Sequence, residues 1–513
     1  MDICHHTLAM IHAITCLTKE PVKTHLSLLL ACIFLCQPVT AGQNLETRYL
    51  AFQIFTYGPD PKIARMGESA GAIAGFPEKA VLREYILDIK RRIGATGGPQ
   101  TRLAVMLGPL SFDHTDADVA SFIELGFQLA LETDVAVGFH IDDSMFWTNR
   151  KDLWADPRNV EALDWDGTPN TGRRLDWQTS PGAKPDIAPP QMCFNSKAIR
   201  SEVHRRSTLL GQTIQAGVER LRQLKKPELF AGVIAGWETM IGQDFATGKY
   251  LGYRALLNRG FTREHPPADM DLERENVVRE FIDYWAEGLA EAGVSPQKIY
   301  SQTTFASRRV FDRSDNKGTS YSERNHFAPP SVAFGDRHRP GFSTYPQPGN
   351  FDDIYAELAR HQQSGWSSSE GTNLQLGSGP GQSGMTMETY LAKMFNHGAT
   401  LVNIYSWGLG GEAGRNMSFR VVTEGEEALQ AYRKFLKAEP LIEAAGETST
   451  LLDRLPPKIQ RIQKDLPAWI QRSGTQEKAA TLMRELKAHL DARNFEAAEK
   501  TADAILKMIG DKP

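Results

Sequence analysis

Residues 224–239 read "LKKPELFAGVIAGWET". They close an amphipathic stretch, "IRSEVHRRSTLLGQTIQAGVERLRQL" (199–224), whose apolar residues recur three and four apart and so predict a helix. After the short link "LKKPE" comes "LFAGVIAGW" (229–237), an apolar run of strand length. Runs of this kind, like "AVMLG" at 104–108, fit parallel strands covered on both faces. The first carboxylate after the strand, Glu238, stands at its C-terminal tip.

The unit repeats along the chain. Further strands are predicted at "TRYLAFQIF" (47–55), "RLAVML" (102–107), "DVAVGFHI" (134–141) and "KIYSQTTF" (298–305). "GFSTY" (341–345), "GWSSSE" (365–370) and "ATLVNIYSW" (399–407) complete the set. Helical spacing recurs between them, as in "KAVLREYILDIKRRIGA" (79–95) and "NVVREFIDYWAEGLAEAG" (276–293). Eight strands, each followed by a helix, is the count of a (β/α)8 barrel. Links from helix into strand are short, whereas 142–195, 239–272, 306–340 and 371–385, which leave strands, are long. In such a barrel the loops after the strands build the functional face, so the asymmetry predicts an elaborated cleft at one end. A doubly wound open sheet shares the alternation. No GxGxxG or GxxxxGK motif follows an early strand, so nucleotide binding gains no support.

Composition sets the frame. The 513 residues are 41% hydrophobic and 23% charged, a globular balance with room for one barrel-sized domain and an appendage. The net charge of −4 and the lack of any long basic run argue against a nucleic-acid or anionic-membrane partner. Lys19 and Lys23, the apolar run "LSLLLACIFLC" (26–36) and the small residues Val39 and Ala41 predict a signal peptide over 1–41. The apolar run is shorter than the ~20 residues of a comfortable span, so the mature protein is expected to be secreted or periplasmic after cleavage near Ala41. Four of the five cysteines lie in that leader, leaving Cys193 with no disulfide partner and no cysteine metal site.

Chemistry belongs at the strand C-termini. Strand one ends near Tyr57, and strand three ends "FHIDDSMFW", offering His140, Asp142, Asp143 and Trp147. Strand four ends at Trp237 and Glu238, strand six at Tyr345, strand seven at Glu370 with Asn373 just beyond, and strand eight at Tyr405 and Trp407. Aromatic faces pack on the C–H faces of a pyranose and carboxylates bond its hydroxyls, so an oligo- or polysaccharide substrate is expected. Glu238 and Glu370 leave strands that lie across the mouth from each other. Glycoside hydrolysis needs an acid for the leaving oxygen and a carboxylate at the anomeric carbon, ~5–5.5 Å apart for retention and ~6.5–9.5 Å for inversion. Trp237 and the apolar strand would raise the pKa of Glu238, while Ser367, Ser368, Ser369 and Asn373 are candidate donors to an ionised Glu370. No cofactor is expected.

"AGWET" (235–239), "SGWSSSEGTN" (364–373) and "NIYSWG" (403–408) resemble the retaining (β/α)8 glycoside hydrolases of the 4/7 superfamily, whose plan fits most of residues 45–440. The resemblance implies Glu238 as acid/base, Glu370 as nucleophile, Tyr345 as a contact of the nucleophile and Trp407 as the floor of the sugar subsite. Many members carry asparagine immediately before the acid/base, where this chain has Trp237.

Two rival readings remain. His140, Asp142 and Asp143 could ligate a metal in a hydrolase or deacetylase, although no HxH or HxxxH spacing occurs in the mature chain. A noncatalytic sugar-binding barrel is the other. Trp147, Trp154, Trp165 and Trp177 in the third loop fit either a lid over sugars or a self-packed loop. Arg150, Arg173 and Arg174 there, with Arg308, Arg309, Arg337 and Arg339 in the fifth loop, hint at acidic sugars. The barrel is assigned to 42–440. Residues 441–513 form an α-helical extension with helices over roughly 476–492 and 494–509, resembling one tetratricopeptide-like hairpin whose partner is unknown.

Overall fold

The computed structural model describes residues 46–55, 75–175, 186–244, 246–304, 328–346, 350–373, 385–405, 407, 424–443, 458, 461–462, 466, 469–470, 476–491 and 495–510. The leader, Tyr57, Trp177, Arg308 and Arg309 lie outside the described residues.

Eight strands form one parallel sheet: β1 (Arg48–Phe55), β2 (Thr101–Leu110), β3 (Ala136–Ile141), β4 (Phe230–Ala235), β5 (Ile299–Ser301), β6 (Gly341–Ser343), β7 (Trp366–Gly371) and β8 (Ala399–Ile404). The spatial order is β5-β4-β3-β2-β1-β8-β7-β6. Parallel bridges Tyr300–Arg339 and Thr303–Phe342 then join β5 to β6. Thr303 N donates to Gly341 O at 3.1 Å, and Ser343 N to Thr303 O at 2.9 Å. The sheet is thereby a barrel.

Helices alternate with the strands: α1 (Lys79–Ile93), α2 (Asp116–Thr133), α3 (Lys197–Gln223), α4 (Met270–Glu291), α5 (Asn350–Arg360), α6 (Met387–Phe395) and α7 (Glu426–Leu436). Their boundaries are written in local chemistry. Thr115 caps α2 by accepting from Asp118 N, and Asp269 caps α4 by accepting from Asp271 N and Leu272 N. In α1 the buried set Leu82, Tyr85, Ile86, Ile89 and Ile93 follows the three-and-four spacing of a stripe facing the sheet. Between β5 and β6 the described residues hold a 3-10 turn, Pro330–Ala333, rather than an α-helix.

Two apolar layers result. Leu50, Phe52, Leu103, Val105, Val137, Val233 and Val402 face the helices, while Tyr49, Ala51, Ala104, Met106, Ile234, Tyr300 and Leu401 fill the barrel. Strand alternation divides the two sets. In the third loop, Trp154 donates to Thr148 O and Trp165 meets Tyr253 edge-on, so these rings pack within the protein. Arg150 is paired with Asp152 and Glu202. Beyond the barrel, α8 (Gln476–Asp491) and α9 (Phe495–Gly510) share a separate apolar cluster that includes Ile462, Trp469, Ala498, Ala502 and Ile505. No helix among the described residues is long and apolar enough to cross a membrane.

Candidate active site

β4 stops at Ala235, and the chain then turns through two unusual residues. Gly236 has φ 121 and Glu238 has φ 53. A Cβ on Gly236 would meet Thr239 Oγ1 at 2.6 Å, so glycine suits both the angle and the space. A left-handed conformation at a non-glycine residue costs roughly 1–2 kcal/mol and persists only where its surroundings impose it. Here Asp143 helps to impose it. Its carboxylate accepts from Trp237 N at 3.3 Å, Thr239 Oγ1 at 2.5 Å and Ser144 Oγ at 3.1 Å. Asp142 beside it accepts from the amides of Ser144, Met145 and Phe146, at 3.1, 2.7 and 2.9 Å. Burial pushes Asp142 up to about 7, with the Asp143 charge adding to it, and Asp143 up to about 6.

β7 delivers Glu370 by another device. Ser367 and Ser369 face the barrel interior: their hydroxyls bond each other, and Ser369 Oγ donates to Ser301 O. Ser368 faces outward, where its hydroxyl meets Thr344 Oγ1 at 2.6 Å. Simple alternation would send Glu370 outward after Ser368. The pairing slips instead: β8 matches Val402 to Ser368 and then Ile404 to Gly371, while β6 matches Phe342 to Ser368 and then Ser343 to Glu370. β7 thus carries a bulge at its tip, which re-aims the carboxylate.

Tyr345 OH donates to Glu370 Oε1 at 2.8 Å and Gln302 Nε2 to Oε2 at 3.0 Å. Burial, and after it the charge of Glu238, pushes Glu370 up to about 8 against the pull of these two donors. Tyr405 sits in the field of both carboxylates, and its hydroxyl is pushed well up by burial and then by those charges. Its ring stands edge-on to Phe55 at 5.1 Å, and Phe55 meets Trp237 at 5.5 Å. Trp237 in turn stacks on His140 at 4.1 Å. Glu238, Glu370, Tyr345, Trp237, His140 and Tyr405 therefore share one end of the barrel.

Below them runs a chain of buried polar groups. His140 Nε2 lies 2.7 Å from Gln302 Oε1 and 3.0 Å from Gly236 O, while Nδ1 lies 2.8 Å from Gln53 Oε1. Asn403 Nδ2 donates to Gln53 Oε1 at 2.9 Å and to Ser369 O at 2.8 Å. Sequence reading named none of Gln53, Gln302 and Asn403. Each is a lone amide in a strand or just past one, as in "AFQIF" and "LVNIY", and a buried polar residue requires partners.

Several expectations are corrected. Trp407 is not at the mouth: it lies among Phe52, Tyr432 and α1, with Nε1 donating to Asp88 Oδ2 at 3.2 Å. Trp147 is enclosed in the apolar core. Asn373 donates to Met385 O at 2.7 Å. The donors to Glu370 are Tyr345 and Gln302 rather than the three serines. His140 and the two aspartates direct their donor atoms at amides, hydroxyls and carbonyls, which leaves no convergent metal set. No group of three or more His, Cys, Asp or Glu side chains among the described residues could hold a metal ion.

No family model matches the chain, and no curated protein matches it. Among solved structures it is similar to the glycoside hydrolase domain of PgaB (BpsB) from Bordetella bronchiseptica, with 11% identity, 77% of this chain and 100% of that chain covered, and a TM-score of 0.42. It is also similar to a family 5 xyloglucanase from Paenibacillus pabuli, at 9% identity, 76% and 99% coverage and a TM-score of 0.38. A sugar phosphate isomerase/epimerase from Parabacteroides distasonis matches at 10% identity, 75% and 96% coverage and a TM-score of 0.34.

Proposed function

We propose that the chain is a secreted glycoside hydrolase that cleaves an oligo- or polysaccharide by retaining double displacement. The observation that carries this reading is the pair of buried glutamates at the tips of β4 and β7, each in the other's field, with two donors fixed on Glu370. Two carboxyls of unlike surroundings are what glycosidic cleavage uses. Hydrogen bonds to the charged form favour it, so the Tyr345 and Gln302 donors support Glu370 as the nucleophile, with Glu238 as the acid.

In the first step Glu238 gives its proton to the glycosidic oxygen while a Glu370 oxygen bonds the anomeric carbon. The bond to the leaving sugar breaks, and a glycosyl ester remains. In the second step the Glu238 carboxylate takes a proton from water, whose oxygen attacks the same carbon and releases Glu370. Trp237 and Tyr405 offer ring surface to the sugar. His140, Asp142 and Asp143 act beneath it by holding the residues that touch substrate. The predicted leader fits an extracellular polysaccharide as substrate.

A panel of aryl glycosides assayed with wild type and Glu370→Ala side by side tests the reading. Hydrolysis by wild type is expected, together with its loss in a variant that keeps its fold by circular dichroism and still binds the sugar. Equal turnover in both proteins overturns it.

A further inference from the structure

Four side chains from the odd strands make a layer across the top of the barrel: Gln53 from β1, His140 from β3, Gln302 just past β5 and Glu370 from β7. Barrel interiors are built in such layers of four, usually from branched apolar residues. This one is polar throughout, and backbone carbonyls, which can only accept, fix its hydrogens from both ends. The carbonyl of Ser369 can only accept, so the Asn403 atom 2.8 Å from it is the amide nitrogen. That nitrogen also meets the Gln53 side chain at 2.9 Å, so the Gln53 atom there is oxygen. The same oxygen lies 2.8 Å from His140 Nδ1, which must therefore carry a proton. On the other side of the ring, Nε2 lies 3.0 Å from the carbonyl of Gly236, again an obligate acceptor. Nε2 must carry a proton as well. Gln302 then turns its oxygen to the ring at 2.7 Å and its NH2 to Glu370 Oε2 at 3.0 Å.

From this geometry we infer that His140 is a buried imidazolium and that Glu370 is its counter-charge, the two joined through the amide of Gln302. His140 and Gln302 are thus positioning residues that keep Glu370 ionised. Burial works the other way: it lowers His140 to about 4 against the Gln302 and Gly236 bonds and, with the Glu238 charge, raises Glu370 to about 8 against the Tyr345 and Gln302 bonds. The two must therefore ionise together. Around His140 stand Gln53, Gln302, Gly236 and the Trp237 ring; Glu370 faces Glu238, Gln302 and Tyr345, with Tyr390 and Tyr405 in its field. No lysine or arginine among the described residues acts on either group. The charge state stands on the geometry alone, and only its catalytic consequence rests on Glu370 being the nucleophile.

Nitrogen-15 spectra of the histidine-labelled full chain test it without substrate, the His140 signal being the one lost in His140→Gln. Both ring nitrogens are expected to be protonated at pH 7 in wild type, with one becoming bare in Glu370→Gln. A bare ring nitrogen in wild type, or the same His140 charge in both proteins, overturns the inference. A neutron crystal structure of wild type and Glu370→Gln reads the same protons if His140→Gln does not fold. Where turnover is measurable, His140→Gln should move the acid limb of kcat/KM to higher pH, which a purely structural loss would not do. The spectra decide the question even if no glycoside is cleaved.

Discussion

The β4 and β7 rims each present one glutamate, and they do so by opposite means. After β4 the strain lies in the backbone: Glu238 sits at φ 53, clamped by Asp143 through Trp237 N and Thr239 Oγ1. At β7 the backbone stays extended and the pairing slips instead, so that a bulge re-aims Glu370. The surroundings differ as well. Glu370 receives two hydrogen bonds from fixed donors, whereas Glu238 follows the Trp237 ring stacked on His140. Fixed donors suit a charge on Glu370.

Removing either one tests the division. Glu370→Gln should lower turnover on the order of 10^4-fold or more, as loss of a covalent nucleophile does. Glu238→Gln should cost about 10²–10⁴-fold on substrates whose leaving group needs a proton. With a dinitrophenyl glycoside the leaving group departs unprotonated, so formation of the glycosyl-enzyme should be nearly normal in Glu238→Gln. Rapid-quench measurement of the phenolate burst reads this directly. Equal loss on both leaving groups would break the contrast between the rims.

A smaller effect comes from the donors. Tyr345→Phe removes one of the two hydrogen bonds to Glu370, worth about 1.5–3 kcal/mol for a charged acceptor, or roughly 10–100-fold in kcat/KM. The bond favours the ionised form, so its loss raises the pKa of Glu370. The acid limb of the pH profile should therefore move to higher pH. A fall in rate with an unmoved limb would mean that Tyr345 touches substrate instead.

The barrel was legible because its signals are long: apolar strand runs, amphipathic helices and short links into strands survive a boundary error of two residues. The candidate site was legible where a carboxylate, histidine or aromatic stood at a strand tip, as at Glu238, Glu370, His140 and Tyr345. Alternation misplaces Glu370, since the bulge that turns it inward depends on its pairing with β6 and β8, which no local residue announces. Ser369 was open to the same error, because the partner of its hydroxyl, Ser301 O, comes from β5. Gln302 follows a three-residue strand, too short to fix a phase. Tyr405 and Trp407 have equal parity after β8, so periodicity could not separate the residue near the carboxylates from the one beneath α1.

That last pair supplies the smallest test. Trp407 donates to Asp88 from within the layer between sheet and helices, with the Arg92 guanidinium 5.8 Å from its ring centre. Trp407→Phe loses that hydrogen bond, about 0.5–1.5 kcal/mol, plus whatever packing the smaller ring fails to restore. Unfolding should shift down by a few degrees at most, since a large domain loses roughly 2–4 °C per kcal/mol. KM should not change. Tyr405→Ala should show the reverse, a raised KM with a smaller change in melting, because its half-buried ring lies in the field of the two carboxylates. If Trp407→Phe raises KM and Tyr405→Ala does not, the sugar meets strand eight through the tryptophan, and the mouth has a different wall from the one these contacts define.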